Sequence, residues 1–207
     1  MESAEPQPGT PDGLPVESPA LGGALPRGHV HLVLFAWIVA FVFVTDQLTK
    51  LLAVDHLSPA YVPHPVIGDL LRLTLVYNPG AAFGLHLGQY SRWIFTALTI
   101  AALGLLYRLY RETLAGDLRR VMAIALVSGG ALGNLLDRLR SPRGVVDFID
   151  VGFNASRWPT FNVADMAVSC GAVLLAIVLW REDVARARQV TEAPSGTDAP
   201  ADTPVHS

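Results

Sequence analysis

Four apolar stretches, each close to twenty residues long, constrain this chain more than anything else in it. They lie at about 30–52, 91–110, 119–138 and 163–181. The first holds an uncharged core from Leu32 to Val44, and the fourth runs AVLLAIVLW up to Trp180. About 20 apolar residues in a helix span the roughly 30 Å of bilayer hydrocarbon. None of the four carries the wide polar face of a soluble amphipathic helix. The reading is an all-α membrane protein with four transmembrane helices. Composition agrees: charged residues are 16% of the chain, and an ordinary soluble domain carries about a quarter.

Charge placement sets the expected domain plan and orientation. Residues 1–28 and 188–207 hold seven acids against Arg27 and Arg188, a net −5, which leaves the body 29–187 at +2. Residues 1–28 are rich in Pro, Gly, Ser and Glu and are expected to be a disordered tail. Their acidic start does not read as a signal peptide. Residues 188–207 are expected to be a second disordered tail, flanking a membrane domain over 29–187. The 2–3 connection carries Arg108, Arg111, Arg119 and Arg120, and the C-terminal flank carries Arg181, Arg186 and Arg188. The positive-inside rule then places both termini and this turn in the cytoplasm. The 3–4 loop disagrees with Arg140, Arg143 and Arg157, whose charges are read as serving something other than topology. Nothing in the charge pattern suggests a nucleic-acid partner.

Two outward loops carry β-rich sequence. LRLTLVY, within 66–78, alternates in places, and GVVDFIDVGF (144–153) is rich in branched and aromatic residues. They predict a small extracytoplasmic sheet resting on the bilayer surface.

Polar residues at the ends of membrane helices are costly and mark functional sites. Five groups occur: Asp46 and Lys50; Asn78; Asn134, Asp137 and Arg138; Asp147; and Asp165. The predicted topology maps all of them to the outer end of the bundle, with the first helix leaving the membrane at Lys50. Each has a plain structural reading. Asp46 and Lys50 fit an i,i+4 pair, Asn162 with Asp165 fits a helix cap, and Gly129, Gly130 and Gly133 fit close helix packing. None of the six histidines adjoins a serine or the cysteine in a catalytic pattern, and no HExxH occurs. Cys170 is the only cysteine, which excludes an internal disulfide, and it reads as a small buried hydrophobe. What remains is a pair of carboxylates that share a proton. Asp147 and Asp165 are the expected pair. A helix N-terminus favours ionised Asp165, the partner that takes a proton from water, while protonated Asp147 polarises a carbonyl.

At these residues the sequence resembles the bacterial lipoprotein signal peptidases, the integral-membrane aspartyl peptidases called signal peptidase II. The matching segments are TDQLTK (45–50), YNPGAAFG (77–84), GGALGNLLDR (129–138), VVDF (145–148) and FNVAD (161–165), within about 30–182. The resemblance implies four transmembrane helices, cytoplasmic termini and an extracytoplasmic β-cradle. It implies a bacterial cytoplasmic (inner) membrane enzyme with its site at the outer face. That enzyme cleaves diacylglyceryl-modified prolipoproteins just before the lipidated cysteine. Carried over by position, Asp147 and Asp165 are the catalytic aspartates. Asn134, Arg138 and Asn162 are expected to orient the dyad or the substrate backbone. Asn78, with the small Gly80-Ala81-Ala82 run, should let the loop pass close to substrate. Asp46, Lys50 and Asp137 are expected to be mainly structural. The implied partners are prolipoprotein substrate and membrane lipid. A monomer without metal or cofactor is expected. The alternatives are a small transporter relaying protons through Asp46, Asp137 and Asp165, and a non-catalytic membrane adaptor.

Overall fold

The computed structural model describes residues 27–80 and 88–192. In chain order the elements are α1 (Arg27–His56), β1 (Pro63–Ile67), β2 (Leu71–Asn78), α2 (Ser91–Arg111), α3 (Leu118–Arg140), β3 (Val145–Phe153), β4 (Ser156–Arg157) and α4 (Val163–Glu192). All four helices are long and apolar enough to cross a membrane. The strands form one antiparallel sheet in the order β1-β2-β3-β4.

The helical limits differ from the sequence reading at both edges. α1 begins at Arg27, and it runs past Lys50 to His56. Lys50 is therefore buried inside the bundle at 3% exposure rather than at a helix exit. α4 continues to Glu192, so residues 188–192 are helical where a disordered tail was expected. The Ala- and Arg-rich run from Val184 to Arg188 consists largely of good helix formers, and no proline interrupts it before Pro194. The rest of both expected tails, 1–26 and 193–207, lies outside the described residues.

α3 is the central helix: half of its apolar window is buried, against 11% for α1 and α2 and 22% for α4. Small residues make this possible. A Cβ at Gly129 would lie 2.9 Å from the Cβ of Val42, and one at Gly130 would collide with the carbonyl oxygen of Ala164. The glycines of the GGALG run thus let α1 and α4 approach the α3 backbone directly. The outward faces of the other helices carry Trp37, Phe41, Leu98 and Val173, all exposed and suited to lipid. Cys170 belongs to this outward set. It is exposed, not buried, because an apolar run in a membrane helix marks lipid contact as readily as a protein core.

The sheet docks on the end of α1. Leu75 of β2 and Phe148 of β3 pack against Ala53 and Leu57 in one buried cluster. Burying such side chains contributes about 1.5–3 kcal/mol each, enough to hold a small sheet in a set position. Two of the three arginines in the 3–4 connection serve this sheet. Arg157 pairs with Asp150 through its Nε, while its guanidinium Nη1 and Nη2 donate to the carbonyls of Asp69 (2.9 Å) and Asp150 (3.0 Å). Arg72 bonds Asp150 from β2 at 3.1 Å, and Thr74 adds a third donor at 3.0 Å. Burial by itself would raise Asp150. The bonds from Arg157, Thr74 and Arg72, with the Arg72 charge, outweigh it and hold the carboxyl below its ordinary range. Arg143 lies 3.9 Å over the Tyr77 ring.

Candidate active site

The site forms where the sheet meets the bundle. β2 and β3 pair with a register shift between Leu73 and Val76, after which Val76 faces Asp147 and Asn78 faces Val145. That bulge brings Asn78 beside Asp147, and its amide donates to Asp147 Oδ2 at 3.2 Å. Gly144 (φ +92°) closes the corner: a Cβ there would strike the Asn78 carbonyl. The chain before α4 is tied to the other side of β3. Phe148 and Ile149 both donate to the Phe161 carbonyl, at 3.1 and 2.8 Å, and Phe161 donates back to Ile149 at 3.1 Å. Asn162 and the first turn of α4 are thereby held against Asp147.

Asn162 and Asp165 form a reciprocal cap. The Asp165 N–H donates to Asn162 Oδ1 at 2.9 Å, and the Asn162 N–H donates to Asp165 Oδ2 at 3.2 Å. The capping reading is therefore correct as geometry, but it does not use up either side chain. The Asn162 amide also reaches Asp147 Oδ1 at 2.6 Å and Asn134 Oδ1 at 3.1 Å. Asn134 in turn donates to Asp165 Oδ1 at 2.8 Å. Asn162 and Asn134 thus join the two carboxylates into one network.

Asp147 is 2% exposed. Burial, and then the negative charge of Asp165, push its carboxyl up to about 7, against the opposing hydrogen bonds from Asn78 and Asn162 and the more distant Lys50 charge. Asp147 therefore gives up its proton only near neutral pH, well above an ordinary aspartate. Behind the pair, Lys50 lies 2.8 Å from Asp46 and 2.9 Å from Asp137, and it donates to Asn134 Oδ1 at 2.8 Å. The local i,i+4 pair is real, but it is one contact of three.

In front of the pair lies a cavity of about 710 Å³ lined by Asn78, Gly80, Phe95, Arg138, Trp158, Phe161, Met166 and Cys170, with both aspartates on its wall. It combines an apolar lining with a few polar groups, as ligand sites do. The Gly80 N–H caps Asn78 Oδ1 at 3.0 Å. Ala81 and Ala82 lie outside the described residues. Arg138 stands 5.9 Å over the Phe95 ring. Its Nε finds no hydrogen-bond partner among the described residues. Gln47, inside TDQLTK, was not singled out from sequence; its amide donates to Asp46 at 3.1 Å. Gly144 was missed as well, although a glycine directly before VVDF was a signal for it. Among the described residues no group of three or more His, Cys, Asp or Glu is arranged to hold a metal ion.

Comparison with known proteins bears on this geometry. The family model described as signal peptidase (SPase) II matches residues 38–181. A lipoprotein signal peptidase of Rhodococcus jostii is 42% identical over 168 residues, covering 76% of this chain and 78% of that one. One from Pseudomonas aeruginosa is 42% identical over 149 residues, 70% of this chain and 86% of its own. A bacterial membrane enzyme solved by the in meso method at 2.3 Å superposes with a TM-score of 0.63 at 32% identity, over 72% of this chain and 88% of that one.

Proposed function

This chain belongs to the signal peptidase II family, a family of membrane hydrolases, and on that premise we propose that it cleaves diacylglyceryl-modified prolipoproteins with Asp147 and Asp165 as an aspartic dyad. The observation that carries the reading is the arrangement of the two carboxylates. They share one asparagine-linked network on the wall of a cavity, and burial with the neighbouring Asp165 charge pushes the more buried one up to about 7. Asp165 takes a proton from water as its oxygen attacks the scissile carbonyl carbon. Asp147 gives its proton to the carbonyl oxygen, which forms a neutral gem-diol. As the C–N bond breaks, Asp165 passes its proton to the leaving nitrogen and Asp147 regains one from the diol. The pair ends as it began. Arg138 and Asn78, both on the cavity wall, are placed to engage the substrate backbone.

The lipid explains the setting. Moving acyl chains into water costs about 0.8 kcal/mol per CH₂, so the substrate is best met with its chains still in the bilayer. A dyad at the membrane surface does this while keeping water within reach. The basic 2–3 turn supports an orientation with that turn and both termini in the cytoplasm, and the dyad at the outer face of the bacterial inner membrane. The chain acts as a monomer.

The direct test is cleavage of a diacylglyceryl-prolipoprotein by the purified protein in detergent, with and without a chelator. Cleavage that a chelator leaves unchanged supports the dyad. Loss on chelation and recovery with added metal would replace it. The pH dependence has a definite sign. Asp147 must be protonated, so kcat/KM should fall as pH rises through about 7. A rate that climbs from pH 7 to 9 would reverse the two roles. Removing residues 1–26 should leave cleavage largely intact, since every site residue lies within 46–165. A well-folded truncation with little activity would show that the tail takes part.

A further inference from the structure

We propose that Lys50 is the positioning residue of this site, acting as a hub whose hydrogen bond to Asn134 and ion pairs with Asp46 and Asp137 set the placement of both aspartates. An ammonium has three donors and no acceptor. Here it donates to Asn134 and is held in ion pairs by Asp46 and Asp137, and the residue is 3% exposed. Each of these partners reaches one part of the dyad. Asp46 Oδ1 accepts the Ala164 N–H at 3.0 Å, immediately before Asp165. Asp137 Oδ2 accepts the Val146 N–H at 3.2 Å, immediately before Asp147. Asn134 touches Asp165 itself.

The Asn134 contact carries the chemistry. A primary amide has one acceptor end and one donor end. Lys50 and the Asn162 amide both donate to Asn134 Oδ1, so that oxygen must face them and its N–H must face Asp165. One carboxylate is enough to neutralise a buried lysine. Here two carboxylates share it, and each also holds a backbone N–H next to a dyad residue. The hub thus ties α1, α3, β3 and α4 together at the point where the two aspartates must meet.

This inference rests on the peptidase reading, and its test compares variants with wild type in the same cleavage assay. Lys50→Arg keeps the charge, but a planar guanidinium cannot place it between Asp46 and Asp137 and donate to Asn134 in the same geometry. The triple variant Lys50→Met, Asp46→Asn, Asp137→Asn removes every charge from the cluster and leaves oxygen acceptors for Ala164 and Val146. Both should keep near wild-type melting and KM while kcat falls, by about 100-fold for a misplacement near 1 Å. Wild-type kcat in a folded variant of either kind would overturn the proposal. So would a rise in KM with kcat unchanged. Failure of both variants to fold would assign the cluster to stability alone. Inert wild-type protein would remove the peptidase reading, and the hub with it.

Discussion

Asp147→Asn and Asp165→Asn should each lower kcat by roughly 10³-fold or more, with KM changed far less, because each removes a proton transfer that nothing else at the site supplies. The double variant should be hardly worse than either single one, since the two groups act as a unit. Folding separates this result from a trivial one. A buried Asp147 whose carboxyl titrates near 7 binds its proton more tightly in the folded chain than in the unfolded one. Its stabilising contribution is therefore largest at low pH and is lost as pH rises through about 7. Asp147→Asn removes that loss but leaves one acceptor for the Asn78 and Asn162 amides, an opposing cost of about 1 kcal/mol, so its melting temperature at pH 8 should stay close to that of wild type. Asp165→Asn gives up one acceptor, either for the Asn162 N–H or for the Asn134 amide, a cost of about 1 kcal/mol. Turnover near wild type in either folded variant would end the dyad assignment.

Gly130→Val should have the largest effect on stability. Even a single Cβ at Gly130 meets the Ala164 carbonyl and comes within 2.9 Å of Val168 Cγ2. The Ala164 carbonyl is backbone and cannot rotate away, so α3 and α4 must separate. Overpacking of this kind costs about 1–3 kcal/mol, and more when backbone is displaced. Activity should fall with stability, because Ala164 directly precedes Asp165 and is tied to Asp46. Gly104 in α2 is the control. Nothing lies within 4 Å of a Cβ there, so Gly104→Ala should be neutral or stabilising by up to about 1 kcal/mol. Thermal melting in detergent compares the two. Equal melting for Gly130→Val and wild type would show that the glycine contact between α3 and α4 is dispensable.

Lys50 and Cys170 show where a linear reading stops. Both sit in apolar runs, and sequence alone treats them as an i,i+4 partner and a core residue. The fold makes one the buried centre of a polar cluster and turns the other outward onto the cavity wall. Periodicity could not separate these outcomes, because in a membrane helix the face toward lipid is as apolar as the face toward protein. Arg157 is a similar case. Its charge looked out of place for topology, and the sheet shows why, since it holds Asp150 and Asp69.

The four spans, the two main strands and most of the polar residues at the site are legible along the chain. Transfer of apolar and polar groups into a bilayer is a local property, legible residue by residue. The short motifs around Asp147 and Asp165 carried the family as well. Which of those polar residues touch is a matter of packing. Asn134 reaches Asp165 across 31 positions, Lys50 reaches Asn134 across 84, and Asp46 reaches the Ala164 N–H across 118. Such pairings depend on how closely α1 and α4 approach the glycines of α3, on the bulge that delivers Asn78, and on the docking of the sheet over Ala53 and Leu57. These are distances set by packing in three dimensions, and no pattern along the chain encodes them.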